Sequence, residues 1–338
     1  MNELAGYPEK YKNSLVLCLE YLKKCNFSME AGRLPWHMLL RFILKSVCLF
    51  LHFASLVAYI VKMISKGQNI FQNADLIPVT LIITQVFLKG SVLIMKKTEI
   101  KRVMDHLGAY WRFTDLTTTQ LKKKKSTLKK LILGQKLLYN MCMLASFQYL
   151  LFPLLETLFR KFVLQQESEL LLPFNSVYPF SVANWVNYLP VYAFQMYCIF
   201  LSIFMYMGPD MLLVTLCTHI SNEFVLLQED LSRIKPPTRK AVNEHNSAIE
   251  EDAMRDFVKR HQSVIRLTQE LNAAFNKIIF INLLFAGLII CFFALAARAS
   301  TGAAYMVNNL AVVTIILSDM LVFCYCSENL CVSVSYLF

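Results

Sequence analysis

Runs of about twenty apolar residues recur six times along the chain, near 39–61, 75–95, 137–157, 186–207, 277–297 and 303–326. Each is long enough to cross a hydrocarbon core about 30 Å thick at a rise of about 1.5 Å per residue. The pattern predicts an all-α, polytopic membrane helix bundle with six spans. Residues 1–30 do not resemble a signal peptide, so the first span is expected to serve as its own membrane signal.

Between the spans the apolar residues become one-sided. Leu212, Leu216, Ile220, Phe224, Leu227 and Leu231 recur at helical spacing and form one face of a helix that continues the fourth span. Lys235-Pro236-Pro237-Thr238 ends it, because proline cannot continue a helix. The polar stretch to about Met254 reads as an exposed, mobile loop. A second amphipathic helix then carries Phe257, His261, Ile265, Thr268, Leu271 and Phe275 on one face and runs into the fifth span. Thr98–Phe113 has the same character, with Ile100, Val103, Met104, Leu107 and Tyr110 on one side. Such faces must be buried, against neighbouring helices or other subunits.

Composition agrees with a membrane protein. Of 338 residues, 56% are hydrophobic and 17% charged, with a mean hydropathy of +0.46. Soluble domains carry roughly a quarter charged residues, and disordered chains lack this apolar content. A net charge of +11 can accompany nucleic-acid binding. The long apolar runs exclude that partner here.

The positive charge is unevenly distributed. Lys and Arg number five in 1–36, eleven in 96–130 and eight in 208–274, which makes 24 on one side. The alternate connections hold Lys62, Lys66, Arg160, Lys161 and Arg298, only 5. The positive-inside rule therefore predicts a cytoplasmic N-terminus. The expected organisation is a cytoplasmic N-terminal segment (1–36), spans one to four (37–207), a cytoplasmic helical anchor region (208–274), spans five and six (275–326) and a short divergent tail (327–338). This orientation weighs against a G-protein-coupled receptor, which starts outside. It also leaves the sequon Asn26-Phe27-Ser28 on the cytoplasmic side, where it is expected to be unused.

Catalytic and cofactor chemistry has no visible signature. There is no G-x-G-x-x-G, Walker loop, H-E-x-x-H or G-x-S-x-G. The six histidines are scattered, and Cys324-x-Cys326 has no second pair to complete a zinc site. Neither an enzyme nor a cofactor or metal is expected. Ionisable residues within spans are functional candidates by default. Arg41 and Lys45 lie at the cytoplasmic end of span one and can snorkel. Lys89 and Lys136 also lie toward cytoplasmic ends. Asp319, about 10 Å deep, is placed to meet an ion path or a neighbouring helix. The run Lys122–Lys125 either attracts anionic membrane lipid, at about 1 kcal/mol per residue, or is a solvated positive-inside loop. The latter reading is preferred. Nine glycines and no internal repeat lower the prospect of a transporter.

One set of segments goes beyond composition. Leu172-Pro173-Phe174-Asn175-Ser176-Val177-Tyr178-Pro179-Phe180 precedes span four, and Leu189-Pro190-Val191-Tyr192-Ala193-Phe194-Gln195-Met196-Tyr197 lies within it. Gly208-Pro209-Asp210-Met211-Leu212, His219-Ile220 and Phe224-Val225-Leu226-Leu227 follow. His261-Gln262-Ser263-Val264-Ile265 and Phe323-Cys324-Tyr325-Cys326-Ser327-Glu328 come later. In this order they resemble the insect odorant receptor family, over roughly residues 30–330. The absence of the co-receptor's long intracellular insertion makes the chain look like a ligand-tuning subunit.

That resemblance implies a plasma-membrane, odorant-gated, non-selective cation channel. Tuning subunits in the family assemble with a shared co-receptor into hetero-tetramers and bind small volatile hydrophobic ligands. The ligand site lies in the outer half of the membrane, among spans two, three, four and six. Transferred here, candidate ligand-binding residues are Phe147, Tyr149 and Phe152 on span three, Tyr188, Tyr192 and Gln195 on span four, and Tyr305, Met306 and Asn309 on span six. Aromatic walls with few polar groups suit such ligands. Ordinary packing and an interfacial aromatic belt are the competing explanation, above all for Trp185 and Tyr188. A signalling receptor of the G-protein-coupled type and a membrane transporter are the alternative functions.

The chain departs from the family at its end. The family's seventh span, which lines the pore, follows the segment matched by Phe323–Glu328. Cys331–Phe338 is too short to span a bilayer. The expectation is a truncated or spliced product, a mis-predicted gene model or a six-span form, one that passes no odorant-evoked current alone or with its co-receptor.

Overall fold

A computed structural model describes residues 6–29, 36–67, 76–112, 116–165, 170–234, 244–299 and 302–335, the side chains of 244–250 and 303–305 excepted. The chain forms α1 (Glu9–Lys24), α2 (Trp36–Ser65), α3 (Leu76–Met95), α4 (Lys97–Ala109), α5 (Thr118–Leu158, continued by a π turn Phe159–Val163), α6 (Trp185–Leu231), α7 (Glu244–Ala299) and α8 (Ala303–Ser335). No strand occurs among the described residues. Six helices (α2, α3, α5, α6, α7 and α8) are long and apolar enough to cross a membrane. Apolar stripes such as Leu133, Leu137, Leu144, Leu151 and Leu155 of α5 remain exposed on the bundle, as a lipid-facing surface requires.

The helices are longer than the hydropathy runs. α5 begins at Thr118 with a capping box: the Thr117 side chain accepts from the Gln120 N–H, and the Gln120 side chain accepts from the Thr117 N–H. Lys122–Lys125 therefore sits on a helix, not in a solvated loop, and Lys124 is buried against Glu223 at 3.0 Å. α7 begins at Glu244, ahead of the loop end expected near Met254. Lys235–Asn243 lies outside the described residues. α8 continues through the expected tail to Ser335. α4 ends at Ala109, so Tyr110 points outward, while Trp111 takes the inner place and is buried.

α1 lies within the expected N-terminal segment 1–36 and has no counterpart among the long apolar runs. It is amphipathic, with Tyr11, Ser14, Leu15, Cys18, Leu19, Tyr21 and Leu22 buried. Glu9 in its first turn and Lys23 and Lys24 in its last complement the dipole. It stops in a Schellman motif. Asn26 adopts φ 59°, the Phe27 N–H donates to Leu22 C=O at 2.9 Å, and the Asn26 N–H donates to Lys23 C=O at 2.8 Å. Asparagine tolerates this left-handed conformation better than most residues. α1 lies along α6, in the main core with Met104 of α4, Cys142 of α5 and Phe224 of α6. Gly208 permits the close approach: a Cβ there would stand 2.7 Å from Leu22 Cδ2.

Candidate functional site

At the end of the bundle away from α1, the segment before α6 turns inward. Val177 N–H donates to Ser55 C=O of α2 at 3.2 Å. Phe174 is buried and stacks on Tyr149 of α5, with ring centroids 5.2 Å apart. Gln195 of α6 holds this fold-back. Its Oε1 accepts from Phe174 N–H at 3.1 Å, and its Nε2 donates to Phe174 C=O at 2.9 Å. Nε2 also reaches Ser176 Oγ and the Tyr178 hydroxyl. An extended segment entering an apolar bundle must satisfy its backbone groups, and one amide side chain satisfies two of them.

Beneath Phe174 lies a cavity of about 170 Å³, bounded by α2, α3, α5, α6, α7 and α8. His52, Ile83, Tyr149, Phe174, Tyr206 and Ile316 are among its walls, which are almost wholly apolar. An apolar cavity of roughly 150 Å³ stays dry and accepts a benzene-sized molecule. Dispersion and shape would therefore dominate recognition here.

A buried ionic cluster abuts the cavity. Lys89 Nζ of α3 meets Asp210 Oδ2 of α6 at 2.6 Å, both fully buried. Asn282 of α7 donates to Asp210 Oδ1 at 2.9 Å, and Gln85 donates to Asn282 Oδ1 at 3.0 Å. Lys89 Nζ also lies 3.8 Å from the ring centroid of Tyr206, a desolvated cation–π contact. The Tyr206 hydroxyl donates to Asp319 Oδ2 of α8 at 3.5 Å. Asp319 thus contacts a neighbouring helix, one of its two anticipated roles. Lys89 does not snorkel. Its ammonium is held inward because an ion pair with added hydrogen bonds offsets the cost of burying charge.

A second polar core lies at the α1 end. Ser14 Oγ meets His219 Nε2 at 2.7 Å, and Lys124 Nζ stands 3.8 Å over the Trp111 ring. Arg112 pairs with Asp230, and Lys123 with Glu229. These contacts tie α1, the segment after α4, and α5 to the extension of α6.

Of the nine anticipated ligand residues, Tyr149 lines the cavity. Gln195 serves the fold-back described above. The Tyr188 hydroxyl donates to Leu171 C=O at 2.9 Å, and that of Tyr192 donates to Leu150 C=O. Both tyrosines are thereby bound into the packing above the cavity. Phe147 is 45% exposed and meets Phe200, Met306 is 43% exposed, Asn309 is buried and Phe152 is half-buried. The side chain of Tyr305 lies outside the described residues. The structure does not bring the other eight together around the cavity. Along α6 the cavity is bounded by residues 199–207, nearer α1 than Tyr188–Gln195, because the folded-back segment fills the space beside those residues. His52, Phe174 and Tyr206 were not anticipated as walls. A lone histidine within an apolar run was the available signal for the first.

Among the described residues, no group of three or more His, Cys, Asp or Glu side chains is placed to hold a metal ion.

A family model described as 7tm Odorant receptor matches residues 69–337. Odorant receptor 10a of Drosophila melanogaster is 29% identical over 157 residues, which cover 45% of this chain and 38% of that protein. Odorant receptor 13a of the same fly is 23% identical over 123 residues, covering 35% and 28%. The aligned stretches thus span well under half of these relatives' length. The solved structure of the insect olfactory receptor OR5 from Machilis hrabei superposes with a TM-score of 0.72 at 12% identity, covering 95% of this chain and 82% of that one. The same receptor in complex with eugenol gives 0.73 at 13% identity, with 93% and 79% covered.

Proposed function

This chain belongs to the 7tm odorant receptor family, and from that premise we propose that it is a ligand-tuning subunit that takes a small volatile apolar molecule into the cavity beneath Phe174. The family is one of receptors and not of enzymes. The observation that carries the proposal is the cavity itself: about 170 Å³, apolar, and roofed by Phe174 against Tyr149. The solved relative has been captured with eugenol, which supports a ligand of this scale.

In this reading the subunit lies in the plasma membrane with its N-terminus in the cytoplasm, supported by the 24-to-5 distribution of Lys and Arg. α1, α4 and the extensions of α5, α6 and α7 then form the cytoplasmic end. Partnership with a co-receptor in a hetero-tetramer, and gating of a non-selective cation channel, follow from the family resemblance. The exposed apolar faces of α7 and α8, including Phe280, Leu284 and Leu321, are available to lipid or a neighbouring subunit.

The test is electrical. In cells expressing the chain with a co-receptor, an odorant panel is applied to the wild type and to Ser146→Phe, which fills the cavity from α5. An evoked cation current that Ser146→Phe abolishes at equal surface expression supports the reading, gating included, and overturns the expectation of a silent chain. A silent wild type upholds that expectation and removes gating from the reading, and ligand-dependent thermal unfolding of the same two proteins then reads binding alone. A current that survives the filled cavity places the ligand elsewhere.

A further inference from the structure

The cavity wall holds a polar side chain that nothing among the described residues satisfies. His52 of α2 is 1% exposed, and neither Nδ1 nor Nε2 has a hydrogen-bond partner among the described residues. The aromatic rings of Phe174 and Phe194 beside it, at 6.0 and 6.1 Å between centroids, offer no lone pair. Other polar walls are already engaged. Ser146 Oγ donates to Cys142 C=O at 2.6 Å, Ser202 Oγ donates to Cys198 C=O at 2.8 Å, and Tyr206 reaches Asp319. Their hydroxyl protons are spent within their own helices or in the ionic cluster.

Buried polar side chains are hydrogen-bonded in the great majority of cases, so an exception asks for a partner. An uncharged imidazole presents one N–H donor and one bare nitrogen acceptor. We propose that His52 is the polar anchor of the cavity, and that the ligand is an apolar molecule carrying a single hydrogen-bonding oxygen, as hydroxyl or carbonyl. A hydroxyl serves either ring nitrogen, a carbonyl serves the N–H, and a hydrocarbon serves neither. This assignment rests on the cavity being the ligand site. It adds a specificity-determining residue from α2, outside the four spans from which a site was expected.

The experiment uses the full chain in lipid nanodiscs. Apparent Kd values come from ligand-dependent thermal unfolding with benzyl alcohol, benzaldehyde and ethylbenzene, which are close in size and differ in their oxygen. His52→Phe is expected to weaken benzyl alcohol and benzaldehyde about tenfold, the worth of one buried hydrogen bond, and to leave ethylbenzene within about twofold. His52→Asn, which keeps a donor and an acceptor, is expected to retain most of the oxygen preference. If His52→Phe does not fold, His52→Leu gives the same comparison. An equal loss for all three probes, or no loss for any, overturns the anchor. Ser146→Phe separates the two claims: it is expected to abolish binding of all three probes. If they bind that variant as before, the cavity is not the ligand site, and the anchor falls with it.

Discussion

The side-chain amide of Gln195 pairs with both backbone polar groups of Phe174, accepting from its N–H at 3.1 Å and donating to its C=O at 2.9 Å. The arrangement resembles one rung of a sheet ladder built with a side chain. Gln195→Leu keeps the bulk but leaves both groups unsatisfied in an apolar setting. It should destabilise the fold-back by about 1–3 kcal/mol. Hydrogen exchange over residues 171–178 should accelerate while the helices keep their protection. Unchanged exchange in that segment would remove Gln195 from the role assigned to it.

The Lys89–Asp210 pair predicts a non-additive cycle. Lys89→Met leaves a buried carboxylate unpaired and should cost about 3–5 kcal/mol, as should Asp210→Leu. The double variant removes both charges and should cost much less than the two losses combined. Thermal unfolding followed by size-exclusion chromatography reads all three. Additive losses would mean that the two groups do not depend on each other.

Docking of α1 is tested through Cys18. Burial pushes its thiol up to about 12, so little thiolate exists near neutral pH and the group is also shielded. Alkylation at pH 8 should be far slower than at the exposed Cys331. Leu15→Ala, a fully buried site, should cost about 2–5 kcal/mol and speed Cys18 labelling more than tenfold by favouring the opened state. Equal labelling of Cys18 and Cys331 in the unaltered protein, read by mass spectrometry, would show that α1 is not docked.

Gly208 opposes two effects of known size. Alanine in a helix interior gains up to about 1 kcal/mol over glycine. Here its Cβ would meet Leu22 at 2.7 Å, and overpacking typically costs about 1–3 kcal/mol. Gly208→Ala should therefore destabilise on balance. Leu22→Ala makes room for the methyl group, so the pair should lose less than the separate losses imply. A stabilised Gly208→Ala would show that Leu22 moves aside freely.

The six spans were legible because continuous apolar runs are a strong local signal. The faces of α4 and of the α6 extension were legible from helical spacing, with Tyr110 misplaced. The α7 face was legible in part: Leu271 and Phe275 are buried, but Val264 and Leu267 take the inner places expected of Ile265 and Thr268. α1 was missed, although Tyr11, Leu15, Cys18 and Leu22 follow that same spacing, because its stripe is short and interrupted by lysines. The Lys89–Asp210 pair joins residues 121 positions apart, and no local pattern reports such a partnership. Gln195 shows a different limit. Its residue type and burial suit a ligand wall and a backbone latch equally, and only the path of residues 170–178 decides between them.

α6 carries the latch at Gln195, the cavity wall and ionic contact at Tyr206, and the α1 groove from Leu212 to Phe224 on one rod. From Tyr206 to Leu231 that rod runs about 37 Å at the helical rise. A rotation of about 2° at Tyr206 would swing the far tip by roughly 1.3 Å over that length. Pro209 stands about one turn beyond Tyr206 and lacks the N–H that would otherwise brace the helix there, so the rod is one backbone hydrogen bond weaker beside that fulcrum. A small molecule seated beneath Phe174, as proposed, would thereby gain mechanical leverage over the opposite end of the molecule.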